Sequence, residues 1–263
     1  MGLNIHTWFA HIDSSSQKQE ILSAFNKLIT SSPTKIAISR CREAGLGLKR
    51  PVRFISHFLF QYIVQPRVLV KDPIALMSAG CLYEEFQFKV ICMIRNPFAF
   101  VGSLKVAGWN FDFESLRQQE NLMKSCLIDY ADRIEFICSR GHSSDFIDRA
   151  ALLWNILHGV ILQYKKRYPN WLFLRHEDVA DNPIQKFEEI FHYLDLDMDG
   201  RIRGYIEDYT SDRNSEKIET TSYRPRNSRS TLQIWKKRLS ATEIARVQAS
   251  TAEIASQFYE NTW

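Results

Sequence analysis

Residues 90–104 read VICMIRNPFAFVGSL, so Arg95 leaves the C-terminal end of an apolar run and Ser103 follows eight positions later. An arginine is a permanently charged, bidentate clamp for an oxyanion, and a serine hydroxyl adds a directional hydrogen bond. Two helical turns apart at the end of a strand, they could hold one phosphate between them. Taken alone, the same residues also fit a surface ion pair and an ordinary helix serine. Lys71 and Asp72 end an earlier apolar run, directly before Pro73. Asp72 is placed either to cap a helix opened by that proline or to do chemistry beside its N-terminus. His176, Glu177 and Asp178 follow a third run, and the favoured reading has both carboxylates bonding backbone or Arg175. Arg224, Arg226 and Arg229 lead into Lys236, Lys237 and Arg238, with no carboxylate from Arg224 until Glu243. Basic runs of this kind are usually solvated faces. His57, alone in an apolar stretch, reads as structural, and Trp109 as a packing residue.

These side chains need elements to carry them. Residues 16–29 have the spacing of an amphipathic helix, with Ser16 and Gln19 suited to a capping box. Residues 67–71 form a short apolar run that reads as a buried strand, and Pro73 opens a helix through Phe86. Residues 88–94 read as a second strand, and Pro97 starts a helix through about Ala107. Two helical patterns follow, up to Pro169. Residues 171–174 give a third strand, and Asn182 and Pro183 supply a cap and a first-turn proline for the next helix. Residues 209–229 are polar and aperiodic, which predicts a long surface loop. A last helix starts at Ser240, with Glu243 completing a capping box. Strand, helix and strand in tight alternation imply parallel strands joined by right-handed crossovers, an α/β fold.

Composition narrows the class. With 263 residues, 45% hydrophobic and 24% charged, the chain has enough apolar content for one globular domain, and no linker composition divides it. A net charge of +4 is too mild to require nucleic acid. Cys41, Cys81, Cys92, Cys126 and Cys138 are scattered without a CxxC pair, so neither a disulfide framework nor a metal site is expected. The first residues show no signal-peptide pattern, and no window approaches twenty apolar residues, so the expectation is a soluble cytoplasmic protein. Oligomeric state has no signature here.

Four segments in order resemble the sulfotransferase family. Arg95, Asn96, Pro97 and Ser103 resemble its 3′-phosphate-binding motif. Residues 67–73 (RVLVKDP) are similar to the strand and turn that precede this motif in bacterial members. Residues 171–178 (WLFLRHED), with Asn182 and Pro183, resemble its R-Y/H-E-D segment, and residues 228–240 resemble its C-terminal loop and W-K-x-x-L helix. The likeness runs from Arg67 to the C-terminus. It implies a P-loop nucleotide-kinase-like fold with a central parallel sheet flanked by helices. It implies in-line sulfuryl transfer from 3′-phosphoadenosine 5′-phosphosulfate to a hydroxyl or amine, on a small-molecule or carbohydrate acceptor, without a metal. Lys71 would then meet transition-state charge or the leaving phosphate, and Asp72 would orient the acceptor or act as base. Arg229 is the expected phosphate ligand of the C-terminal loop.

Family members begin with a strand and a loop of the type P-R/K-S-G-T-T that cradles the 5′-phosphosulfate. Residues 6–9 and 45–50 carry fragments of such a loop, but neither follows an apolar strand with a suitable Gly-Ser pair. The expectation is a chain that keeps the 3′ site and lacks the first strand and 5′ loop. It would be an enzyme whose recorded start lies downstream, or a non-catalytic relative that binds nucleotide or acts as an interaction module. A P-loop kinase is disfavoured, since no G-x-x-x-x-G-K-[ST] occurs.

Overall fold

The computed structural model describes residues 9–12, 18–19, 22–23, 25–26, 68–141, 145–214, 225 and 227–259. The chain forms two compact units, Met1–Leu82 and Tyr83–Trp263. In the first, residues 18–19, 22–23 and 25–26 are helical, as the amphipathic spacing predicts. Phe9, Ile12, Met77 and Leu82 are buried, and His11 Nδ1 lies 3.0 Å from the carbonyl of Met77. A 3-10 turn, Ala75–Ser78, runs into helix α1, Ala79–Phe86.

Residues 68–71 are not a strand, contrary to the expectation for 67–71. Val68, Leu69 and Val70 are 61%, 85% and 41% exposed. β-branched residues favour an extended backbone, but a strand persists only where a neighbouring ladder and a buried face hold it. Among the described residues the only ladder is between β1, Ile91–Ile94, and β2, Leu172–Arg175. They pair in parallel, with Ile94 opposite Arg175. β1 is shorter than the expected 88–94. Just before it, the N–H of Val90 donates to the Tyr193 hydroxyl, which donates in turn to the Val90 carbonyl.

Helix α2, Pro97–Ala107, has its predicted bounds because both ends are chemically marked. The Asn96 side chain accepts from the N–H groups of Phe98 and Ala99, Pro97 fills the first turn, and Gly108 ends the helix at φ 60°. That left-handed backbone is open to glycine and strained for other residues. Three short helices follow, α3 (Glu114–Arg117), α4 (Glu120–Lys124) and α5 (Ala131–Arg140), with a 3-10 turn, Ile128–Tyr130, before α5. Helix α6, Phe146–Arg167, is the spine of this unit, with residues 150–156 all buried.

After β2 come α7 (His176–Asp181), α8 (Pro183–Tyr193), α9 (Gly200–Thr210), a 3-10 segment Arg229–Lys237, and α10 (Ala241–Ala255). The Ser240–Glu243 capping box of α10 is present on both sides. Asn182 does not cap α8 with its side chain, which bonds Asp181 instead. Tyr209 and Thr210, expected to begin the polar loop, complete α9, so the loop starts later. Residues 215–224 and 226, which include Arg224 and Arg226, lie outside the described residues, as do His57 and the rejected loop at 45–50.

Helix α6 packs against α2 and α10. Phe98, Val101, Ile147, Ala150, Leu239 and Val247 form a common core, with Trp235 stacked on Phe98 at 4.7 Å. This burial fixes the 3-10 segment against α2, and with it the side chains described next.

Candidate functional site

The site begins with one peptide group. Where β1 ends, ladder hydrogen bonding gives way to side chains from elsewhere in the unit. The N–H of Arg95 donates to His158 Nε2 at 3.2 Å, and the carbonyl of Arg95 accepts from Trp154 Nε1 at 2.8 Å. Next, the N–H of Asn96 donates to Glu177 Oε1 at 2.9 Å. Trp154 and His158 are one turn apart on α6, stacked at 4.0 Å, and their i, i+4 spacing lets them grip two backbone groups of one residue. His158 Nδ1 lies 2.9 Å from the carbonyl of Trp154, so its proton sits on Nδ1 and Nε2 accepts. Burial lowers the His158 pKa to about 4, which keeps the ring neutral at physiological pH.

The held backbone directs the Arg95 side chain along α2. Its Nη2 donates to Ser103 Oγ at 3.0 Å, and Nη1 of Arg238 donates to the same oxygen at 3.2 Å. Arg238 arrives from the turn after the 3-10 segment, against Gly102, where a β-carbon would lie 3.5 Å from those of Arg238 and Trp235. Among the described residues, neither guanidinium has a carboxylate within ion-pair distance. The Arg95 Nε–H is buried and has no acceptor among the described residues. Burial lowers the Arg95 pKa, nearby Arg238 lowers it further, and Glu177 opposes both. Two cations sharing one hydroxyl, with a donor left over, form a site short of negative charge.

Other predicted residues have different surroundings. Arg229 donates through Nε and Nη2 to the carbonyl of Asp181, at 3.1 and 3.0 Å, and pairs with its carboxylate at 3.3 Å. It therefore completes the end of α7, while Arg238, named only as part of a basic run, joins Ser103. No local sequence signal separates the two: Arg238 is one 3-10 turn beyond the ring that docks on Phe98, and Arg229 is two turns before it. Asp178 takes a bidentate bond from Arg175, at 2.8 and 2.6 Å, and Glu177 bonds backbone, as the favoured reading had them. The other Glu177 oxygen accepts the Tyr259 hydroxyl at 2.9 Å. His176 is half-buried, and its pKa is lowered by burial and by Arg95. Trp109 packs on Phe111, with ring centroids 6.0 Å apart. Lys71 and Asp72 are exposed in the first unit, where Asp72 Oδ1 accepts from the N–H of Ile74 at 3.0 Å; the turn that follows opens at Ala75, not Pro73, and has no side-chain cap. Among the described residues no cluster of His, Cys, Asp and Glu has the makings of a metal site.

Residues 73–259, more than half of the chain, match the sulfotransferase domain family. Carbohydrate sulfotransferase 1 from Mus musculus is 32% identical over 95 residues, covering 34% of this chain and 23% of the relative. The proteins of the same name from Rattus norvegicus and Homo sapiens show the same identity and coverage. The matched segment thus spans under a quarter of the length of these relatives. No solved structure matches the chain. Arg95, Ser103, Glu177 and Arg238 all fall inside the matched domain, and the chain belongs to the sulfotransferase domain family.

Proposed function

We propose that this protein transfers a sulfuryl group from 3′-phosphoadenosine 5′-phosphosulfate to a hydroxyl or amine, with a carbohydrate as the first acceptor to test. The observation that carries this reading is the shared hydroxyl: Arg95 and Arg238 both donate to Ser103 Oγ, and Arg95 Nε–H is left over. A phosphate dianion supplies the missing acceptors and relieves the repulsion between the two guanidinium groups. We assign it as the donor's 3′-phosphate. The family and the relatives named for carbohydrate sulfation support the reaction class and the acceptor.

In the reaction, the bond from sulfur to the 5′-phosphate bridging oxygen breaks as the acceptor oxygen or nitrogen bonds to sulfur. The acceptor's proton passes to a base, and adenosine 3′,5′-bisphosphate leaves. Anchoring the 3′-phosphate fixes the donor for in-line attack, an effect of position more than of chemistry. Lys71 and Asp72 keep their proposed roles in charge stabilisation and acceptor orientation by resemblance alone. The P-loop nucleotide-kinase-like architecture belongs to the same proposal, as does the expectation that its first strand and 5′-phosphosulfate loop are lacking here.

Calorimetric titration with adenosine 3′,5′-bisphosphate tests the site. Arg95→Ala should weaken binding by about 1.5–3 kcal/mol, the range for hydrogen bonds to charged groups. Equal affinity in the variant would remove the basis for the assignment. Transfer of labelled sulfate onto a carbohydrate acceptor tests the reaction, and binding without transfer would leave a nucleotide-binding module.

A further inference from the structure

One peptide plane, between Arg95 and Asn96, is held at both ends by side chains. Its carbonyl accepts from Trp154 and its N–H donates to Glu177. A peptide fixed at both ends fixes ψ of Arg95 and φ of Asn96, and so sets how α2 and Ser103 sit relative to the Arg95 side chain. Trp154 is wholly buried within α6 and has no room to reorient. The Glu177 end is less constrained by packing, because Glu177 is only half-buried, on a six-residue helix. What restrains it is the second carboxylate oxygen, which accepts the hydroxyl of Tyr259, a residue 5% exposed in the turn after α10. That turn is fastened again where Nη1 of Arg175 reaches the Phe258 carbonyl at 3.4 Å and His158 meets the Phe258 ring edge-on at 5.9 Å.

We infer that Glu177, steadied by Tyr259, is a positioning residue that sets the Arg95 turn for the anion. This rests on the anion-site reading above. The arrangement carries an internal conflict that makes the role measurable. A carboxylate this close to Arg95 repels an incoming anion, so its charge by itself weakens binding. Its geometry strengthens binding by holding the peptide that carries the clamp. The two effects have opposite signs, and two substitutions separate them. Glu177→Gln keeps an oxygen for the Asn96 N–H and an amide that can donate to the Tyr259 oxygen, while losing the charge. Glu177→Ala loses both.

The experiment is calorimetric titration of the full chain with adenosine 3′,5′-bisphosphate, with the melting temperature of each variant recorded alongside. The expected result is at least tenfold weaker binding for Glu177→Ala. Glu177→Gln should bind at least as tightly as the unmodified protein. Tyr259→Phe should fall between unmodified protein and Glu177→Ala. Tighter binding by both Glu177 variants would mean that only charge matters, and would overturn the positioning role. Lower melting temperatures with unchanged affinity would reduce Glu177 to a fold contact and overturn it equally. Binding lost in Arg95→Ala but intact in Glu177→Ala rejects this inference alone. No binding by the unmodified protein rejects the donor assignment and this inference with it.

Discussion

At the scale of single residues, the site is decided by which cation reaches Ser103. Arg229 and Arg238 belong to the same basic run, yet one bonds the end of α7 and the other the Ser103 hydroxyl. Arg238→Ala should therefore weaken adenosine 3′,5′-bisphosphate binding by about 1.5–3 kcal/mol. Arg229→Ala should stay within about 0.5 kcal/mol of the unmodified protein, as exposed substitutions away from a site usually do. The reverse ranking in calorimetry would return the phosphate to Arg229. Composition could not have separated the two, because only the docking of Trp235 on Phe98 settles which arginine faces α2. His158 carries a second residue-scale consequence. Its folded pKa, about 4, lies below its ordinary value of 6.5, so the unfolded chain binds the extra proton first. Its contribution is complete above about pH 6.5, declines as pH falls, and is exhausted near pH 4, a loss of about 3 kcal/mol. Urea titrations across that window should show the decline. His158→Gln, which keeps an acceptor near the Nε2 position but does not titrate, should flatten it.

At the scale of elements, legibility followed local marking. Helix α2 was readable from Pro97 to about Ala107, and in the structure Asn96 and Pro97 open it and Gly108 closes it by rules that act within one turn. Helix α10 was readable at its start for the same reason, through Ser240 and Glu243. Residues 67–71 misled because strand formation depends on a neighbour that a local run of valines and leucine does not specify. Glu177 was legible as a backbone-bonding carboxylate, but not its partner Asn96, 81 positions away. A further feature of α6 escaped the sequence altogether. Gly159 lies so close to the Tyr130 hydroxyl that a β-carbon would stand 2.2 Å from it. Gly159→Ala raises helix propensity, which by itself stabilises. Overpacking should outweigh that gain and destabilise the protein by about 1–3 kcal/mol. A rise in melting temperature would show that the 3-10 turn at Tyr130 yields at little cost.

At the scale of the whole molecule, the proposed anion site has no local origin. Arg95 and Ser103 come from one strand–helix junction, Arg238 lies 135 residues beyond Ser103, and Tyr259 lies 82 beyond Glu177. Each closes a long loop whose entropy is spent before the contact can form, so such contacts gather late in folding. Ligand binding is then a report on the completeness of folding. During refolding from urea, far-ultraviolet helix signal should return first, while binding competence for adenosine 3′,5′-bisphosphate should return only with the slowest phase. Competence that recovers together with the helix signal would mean that the distant segments assemble early. On the proposed function, the same topology would make the nucleotide a stabiliser of the entire unit, because a ligand held by residues from both ends of the unit binds only when those ends have met. A cell supplying the ligand in excess of its dissociation constant would thereby hold the late-forming contacts closed, and a cell depleted of it would leave the protein more exposed to proteases that act on its opened forms.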